Sequence, residues 1–227
     1  MMNDITVETH CHTYYSKDCL MNPRRLIEVC RKRGIDRLCI TDHNTCEGAF
    51  EMASLAPDLI IPGVEIMTTQ GELLVLFVEH EVPHGLNPMD TIERFRAQGA
   101  VISVSHPFDY HRSGSWSESD LRLIAPYVDA IEIFNSRSIN VWMNKHASLF
   151  ARELGLLATV GSDAHTYSEV GKSTIYMKAY EDPDEFVANL NSAFLNTKRS
   201  NPLVHLASRW AVLARKISNL SQEISTQ

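Results

Sequence analysis

The segment Ile5-Thr6-Val7-Glu8-Thr9-His10-Cys11-His12-Thr13 sets the β-branched residues Ile5 and Val7 two apart, with polar neighbours around them. That spacing predicts a strand. Side chains two apart on a strand share a face, so His10 and His12 point to one side and Cys11 to the other. Two imidazoles aimed at one point make a chelate for a divalent transition metal. A His-x-His pair also describes a plain solvated strand end, so its weight depends on how the other strands end.

Beyond this strand, Pro23 to Arg33 is expected to be helical, capped by Asn22, opened by Pro23 and stopped by Gly34. Arg37 to Ile40 reads as a short buried strand running into Thr41-Asp42-His43-Asn44, followed by a weaker helix over Cys46 to Leu55. Leu59 to Ile66 and Leu73 to Val78 read as further strands, and Pro88 to Gln98 as a helix. Val101 to Val104 ends in Ser105-His106-Pro107, and a helix capped at Ser117 or Ser119 follows the polar loop Asp109 to Ser117. Ala130 to Phe134 ends in Asn135-Ser136-Arg137, with a helix from about Ile139 to Leu154 after it. Leu157 to Val160 ends in Gly161-Ser162-Asp163-Ala164-His165, Thr174 to Met177 is the last strand, and Pro183 to Phe194 reads as a helix. Strands alternating with helices, without repeats or linkers, predict βα units around a parallel sheet.

The ionisable residues collect at the ends of those strands: His10 and His12, Asp42 and His43, Glu65, His106, then Asp163 and His165. In a parallel α/β barrel the C-terminal strand ends converge on one mouth. Imidazoles mixed with carboxylates suit Mn²⁺, Zn²⁺ or Fe²⁺, and so many donors exceed the needs of one ion. Two or three bridged ions would clamp a phosphoryl group and activate water. Arg137 and Asn135 sit at the same mouth, where an arginine fork suits phosphate, although a salt bridge to Glu132 is the plainer alternative. Asp42 is expected to bond a ligand histidine or the Asn44 backbone, or simply to form a turn. His111 and Arg112 lie in a polar loop that either covers the site or stays on the surface. Cys11 and Trp116 are read as packing residues, and His84, His146 and His205 as having no role in the site.

Composition narrows the setting. The chain has 227 residues, 44% hydrophobic and 22% charged, which fits one α/β domain. Its net charge of -7 argues against non-specific grip on long duplex nucleic acid or an anionic membrane. No apolar run approaches the ~18 residues that span a bilayer, and the N-terminus has no signal-peptide pattern. Five cysteines, all within the first quarter and without Cys-x-x-Cys, read as reduced thiols of a cytoplasmic protein.

His10-x-His12, Thr41-Asp42-His43, Ser105-His106-Pro107 and Gly161-Ser162-Asp163-Ala164-His165, in this order, resemble the polymerase and histidinol phosphatase (PHP) superfamily. The resemblance spans roughly residues 5 to 200 and is nearest to the small stand-alone PHP proteins, in which Phe134-Asn135-Ser136-Arg137 also recurs. It implies a distorted seven-stranded (β/α)7 TIM-like barrel over 1–200, a cluster of two or three divalent ions, and phosphoester hydrolysis by a metal-activated hydroxide. It further implies a first metal on His10, His12, Glu65 and Asp163, a second sharing Glu65 with His106, and a third on Asp18, His43 and His165. Asp163, His165 and Arg137 are then the expected catalytic residues, and Asn44, Asn135 and Arg137 the expected contacts to a small phosphomonoester, nucleotide or short oligonucleotide. Many members carry a histidine where this chain reads Glu72-Leu73-Leu74-Val75-Leu76. With no donor expected from that run and His80 the nearest substitute, the second position is expected to be weak.

Two other functions compete. A catalytically silent metal-binding or regulatory domain would show eroded ligands, and an amidohydrolase-like enzyme would carry a bridging lysine at a strand end. Beyond the barrel, Leu203, Leu206, Trp210, Leu213, Ile217, Leu220 and Ile224 recur at alternating spacings of three and four, an apolar seam on an amphipathic helix over 201–227. The expected arrangement packs this seam on the barrel through Trp210 while the last turns fray; pairing of two copies or attachment to a membrane surface are the alternatives.

Overall fold

The computed structural model describes residues 4–225, with side chains described for 4–217. Strands β1 (Asp4–Cys11), β2 (Arg37–Ile40), β3 (Ile60–Met67), β4 (Glu72–Leu76), β5 (Val101–Val104), β6 (Ala130–Asn135), β7 (Leu157–Gly161), β8 (Thr174–Lys178) and β9 (Phe194–Asn196) form one sheet. Its order is β7-β6-β5-β4-β3-β2-β1-β8-β9, so the count is nine rather than the expected seven. Helices α1 (Pro23–Lys32), α2 (Glu47–Leu55), α3 (Pro88–Arg96), α4 (Glu118–Ile124), α5 (Val141–Leu154) and α6 (Pro183–Leu190) connect the strands, and α7 (Val204–Ser225) ends the chain.

The helix starts follow the sequence signals. Asn22-Pro23, Asn87-Pro88 and Asp182-Pro183 each place a capping side chain before a proline, and each cap accepts a first-turn N–H. Ser117, not Ser119, caps α4. The helix expected to reach Phe194 stops at Leu190, because a turn over Asn189 to Ala193 releases the chain into β9 against β8.

Two departures from a parallel barrel position the site. β4 runs antiparallel to both β3 and β5, so its first residue, Glu72, lies beside Met67 at the C-terminal end of β3. Along β4, Leu73 and Val75 pack into the outer core, while Leu74 and Leu76 belong to the inner core with Val7, Ile61 and Val160. The period of two therefore puts Glu72 on the interior face. In β1, the register with β2 shifts between Glu8 and Cys11. Val7 belongs to the inner core, whereas Cys11 packs in the outer one with α1 and α2. Such an irregularity exchanges the two faces of a strand, and here it turns His10 and His12 inward.

β8 takes the N-terminal half of the free edge of β1. The C-terminal half meets β7 and the segment after it, through Thr9 Oγ1 to Val160 O (2.9 Å) and His12 N–H to Ala164 O (3.0 Å). The buried carboxylate of Glu8 fixes this closure by accepting from Ser162 N and Gly171 N, each at 3.0 Å. All five cysteines are free and buried, Cys11 among them. Among the described residues no helix is long and apolar enough to cross a membrane.

The C-terminal helix corrects an expectation. Leu203, Leu206, Trp210 and Leu213 face outward, with 67, 59, 61 and 48% of their surface exposed, while Ala211 is buried at 2%. The side facing the barrel carries His205, Ser208 and Arg215 instead, for a reason that lies in the site beneath it. The placement of Leu220 and Ile224 and the fraying of the last turns lie outside the described side chains.

Candidate metal centre

His10, His12, His43, Glu65, His106, Asp163 and His165 converge on one mouth from their strand ends, and Asp18 joins them from the loop after β1. Three of the imidazoles have their tautomer fixed from behind. His10 Nδ1 donates to Glu132 Oε1 at 2.9 Å, and His165 Nδ1 donates to the Asp163 carbonyl at 2.9 Å. The Ser16 hydroxyl donates to Asp42 Oδ1 (2.6 Å) and accepts from His12 Nδ1 (3.0 Å), so Asp42 acts on a histidine through a serine. Each of these rings then presents a bare Nε2 to the centre.

Glu65 stands in the middle. Its Oε2 lies 3.0 Å from His43 Nδ1, 3.4 Å from His10 Nε2 and 3.5 Å from His12 Nε2, and its Oε1 lies 2.8 Å from His106 Nε2. Asp163 Oδ1 is 3.3 Å from His12 Nε2, and Asp18 Oδ2 is 3.0 Å from His165 Nε2. Asp163 is held at a backbone φ of 51°. That left-handed conformation costs about 1–3 kcal/mol outside glycine and turns the chain so that both Asp163 and His165 reach the centre. At Gly161, an added Cβ would lie 2.2 Å from Glu132 Oε1 and 2.5 Å from His10 Cβ, so only glycine leaves room for this pair.

The donor set fits divalent ions on three counts. First, the protons of His10 and His12 sit on Nδ1, so two lone pairs face each other with Nε2 atoms 3.1 Å apart. With both rings neutral, a cation bound by the two nitrogens relieves that contact. Second, Glu65 Oε2, Asp163 Oδ1, His106 Nε2, His165 Nε2 and Asp18 Oδ1 are buried and crowd one another without a well-aligned hydrogen bond, which is costly unless something else binds them. Third, negative charge is in excess. Burial opposes charge on the imidazoles, yet Glu65 and Glu132 hold His10 well above the ordinary range, and Glu65 pushes His43 up to about 10. The donors form four overlapping groups, His12-His43-His165, His10-His12-Asp163, His10-Glu65-His106 and His43-Glu65-Glu72, within each of which the donor atoms lie no more than 4.8 Å apart.

Glu72 overturns the expectation that its run holds no donor. Its Oε2 lies 3.8 Å from His106 Nε2, whereas His80 is exposed beyond the strand. The available signal was a charged residue opening an apolar strand for Glu72, and one inside an apolar strand for Glu132.

The arginine against the centre is Arg112. Its Nη1 lies 2.6 Å from Asp163 Oδ2, and its Nε donates to Asp109 Oδ2 at 3.2 Å. Burial alone would raise the Asp163 carboxyl; Arg112 and then His10 hold it well below the usual carboxylate range. Arg137 borders the same cavity, but its Nε pairs with Glu169 Oε1 at 3.3 Å and its Nη2 donates to Ser208 Oγ at 2.8 Å. The partner is thus Glu169, not Glu132. Asn135 is fully buried and donates to Glu132 and Asp163, and Asn44 is an exposed turn residue whose side chain accepts from Met67 N. Neither borders the cavity. His205 and His111 do, His205 against expectation. Trp116 is a packing residue, buried with its Nε1 donating to Glu72 O at 2.9 Å.

Glu132→Gln is expected to lower metal affinity roughly 10–100-fold, the usual loss when a carboxylate behind a ligand histidine is removed. Titration of the metal-free protein measures it; unchanged affinity would mean that His10 needs no such support.

Comparison with known proteins agrees with this geometry. The PHP domain family model matches residues 8–194. An uncharacterized protein of Methanocaldococcus jannaschii is 36% identical over 185 residues, covering 79% of this chain and 74% of that protein. A protein of Caldicellulosiruptor bescii named a probable phosphatase is 23% identical over 223 residues, covering 82% of this chain and 91% of its own. The fold is shared with a two-domain protein from Bacteroides vulgatus described as containing a predicted PHP-like metal-dependent phosphoesterase. The TM-score is 0.69 at 17% identity, over 87% of this chain and 66% of that one.

Proposed function

Because this chain belongs to the PHP domain family, we propose that it is a metal-dependent phosphoesterase acting on a phosphomonoester, nucleotide or short oligonucleotide. The observation that carries this reading is the ring of converging Nε2 and carboxylate atoms around Glu65, with Arg112 at its edge. His10, His12, Asp163 and Glu65 would hold one ion, Glu65 with His106 and Glu72 a second, and Asp18, His43 and His165 a third. When bound, such ions polarise a phosphoryl oxygen and lower the pKa of water enough for it to attack phosphorus.

The protein's own groups do the rest. Glu132, Ser16 with Asp42, and the Asp163 carbonyl lock the imidazoles before substrate arrives, so no reorganisation is needed during reaction. Arg112 presents a guanidinium to the phosphoryl group and offsets charge that develops on its oxygens. Nucleophilic catalysis by a thiolate has no support: burial pushes the Cys30 and Cys46 thiols up to about 12. The cavity over the centre, about 550 Å³, is bordered by Arg112, Arg137 and Arg209 and by no lysine. That lining suits phosphate better than the carboxylated lysine chemistry of an amidohydrolase.

The test is hydrolysis of a panel of phosphomonoesters and phosphodiesters by protein loaded in turn with Mn²⁺, Zn²⁺ and Fe²⁺, with bound metal counted by elemental analysis. With Glu72 as a donor, the second position is expected to fill along with the others. Stripping the metal should also lower stability, by about 2.7 kcal/mol when the free ion had stood near a hundred times its dissociation constant. A loaded protein that hydrolyses no ester would favour the silent regulatory domain.

A further inference from the structure

Amphipathic helices normally turn their apolar stripe to the core. α7 turns its large apolar residues outward, packs the small Ala211 inward, and makes its inward hydrogen bonds at the rim of the mouth. Ser208 Oγ accepts from Arg137 Nη2 at 2.8 Å, and His205 Nε2 donates to the Arg137 carbonyl at 3.1 Å. One segment further along, Arg215 Nη2 donates to the carbonyls of Tyr14 and, at 3.1 Å, Cys19. Arg137 follows β6, whereas Tyr14 and Cys19 follow β1, so the anchors stand on different strand-end loops. Seven residues of helix, about 10 Å, separate Ser208 from Arg215 and bridge the mouth between them. Beneath that bridge lies the cavity, with Asp18, His43 and His165 on its floor and His205, Ser208 and Arg209 in its roof.

We propose that α7 is the specificity element of this site: a roof that admits compact phosphate esters and excludes phosphates within or at the end of a polynucleotide. The inference rests on the phosphoesterase reading and narrows its substrate class. A cavity of about 550 Å³ is the size of ordinary small-molecule sites, and a helix pinned at both rims crosses the path a strand would take over the mouth. The same placement explains the inverted polarity of α7. Its inner side chains must bind the rim and line a polar cavity, so the large apolar residues are left outside.

The experiment uses the full-length, metal-loaded chain and two variants that loosen the roof, Arg215→Ala and Ser208→Ala. Each is assayed on a mononucleotide and on a single-stranded oligonucleotide, both carrying a 5′-phosphate. The rate at which EDTA removes the metal is measured in parallel. The unmodified protein should strongly prefer the mononucleotide. Arg215→Ala, which touches neither cavity nor ligands, should retain that activity and reduce the preference by at least about tenfold. Metal should leave both variants faster. Unchanged preference together with unchanged metal release would overturn the proposal, as would equal use of both substrates by the unmodified protein, which leaves the phosphoesterase reading standing. If neither ester is hydrolysed, the specificity proposal is overturned, and faster loss of metal from the variants would then show only that α7 covers the centre.

Discussion

Asp163→Asn is expected to abolish phosphoester hydrolysis, beyond the roughly 100-fold loss that marks removal of a merely supporting group. Asparagine is the informative replacement because it tolerates the left-handed backbone at this position, where φ is 51°. Alanine there would mix strain with chemistry. The substitution removes one anionic donor from the set His10, His12 and Asp163 and the partner of Arg112, so metal content should fall with the rate. Elemental analysis and hydrolysis of p-nitrophenyl phosphate measure the two together. Wild-type rate and metal content in this variant would remove Asp163 from the centre.

Arg112→Ala is expected to lower kcat/KM about 10²–10³-fold, the scale of losing one preorganised donor to the transition state. Metal content should not change, because arginine is no ligand. Arg112→Lys should recover part of the loss, since a point charge replaces some of the field but none of the forked geometry. Arg137→Ala should behave differently. Arg137 is held by Glu169 and Ser208, so its removal should loosen α7 and change substrate preference more than the rate on a compact ester. Equal losses at the two arginines would return phosphate binding to Arg137.

The centre was legible because its donors are chemically distinctive residues at ends of apolar runs. His10, His12, His43, Glu65, His106, Asp163 and His165 each follow or close a strand, and parallel strands of one barrel share a mouth. The roles of Glu72 and Glu132 are not legible in the same way. A strand's direction is not written in its composition, and a parallel β4 would carry Glu72 to the far end of the barrel. Only pairing with β3 and β5, both antiparallel, brings it under His106. Glu132 looked like a salt-bridge partner because its actual partner, His10, is 122 residues away.

The sequence by itself determined the alternation of strands and helices, the caps that start α1, α3 and α6, the family, and the residues that meet at the mouth. Those are local or periodic properties, carried by side chains a few positions apart. Tertiary structure alone decided which arginine faces the centre, which face of β1 turns inward, and which side of α7 meets the barrel. Each depends on contacts between distant segments: Arg112 with Asp163, β1 with β2 across a register shift, Ser208 with Arg137. The heptad spacing of α7 did report a single apolar side. Where that side would point depended on what lies beneath the helix, and a charged cavity makes the polar side the one that binds.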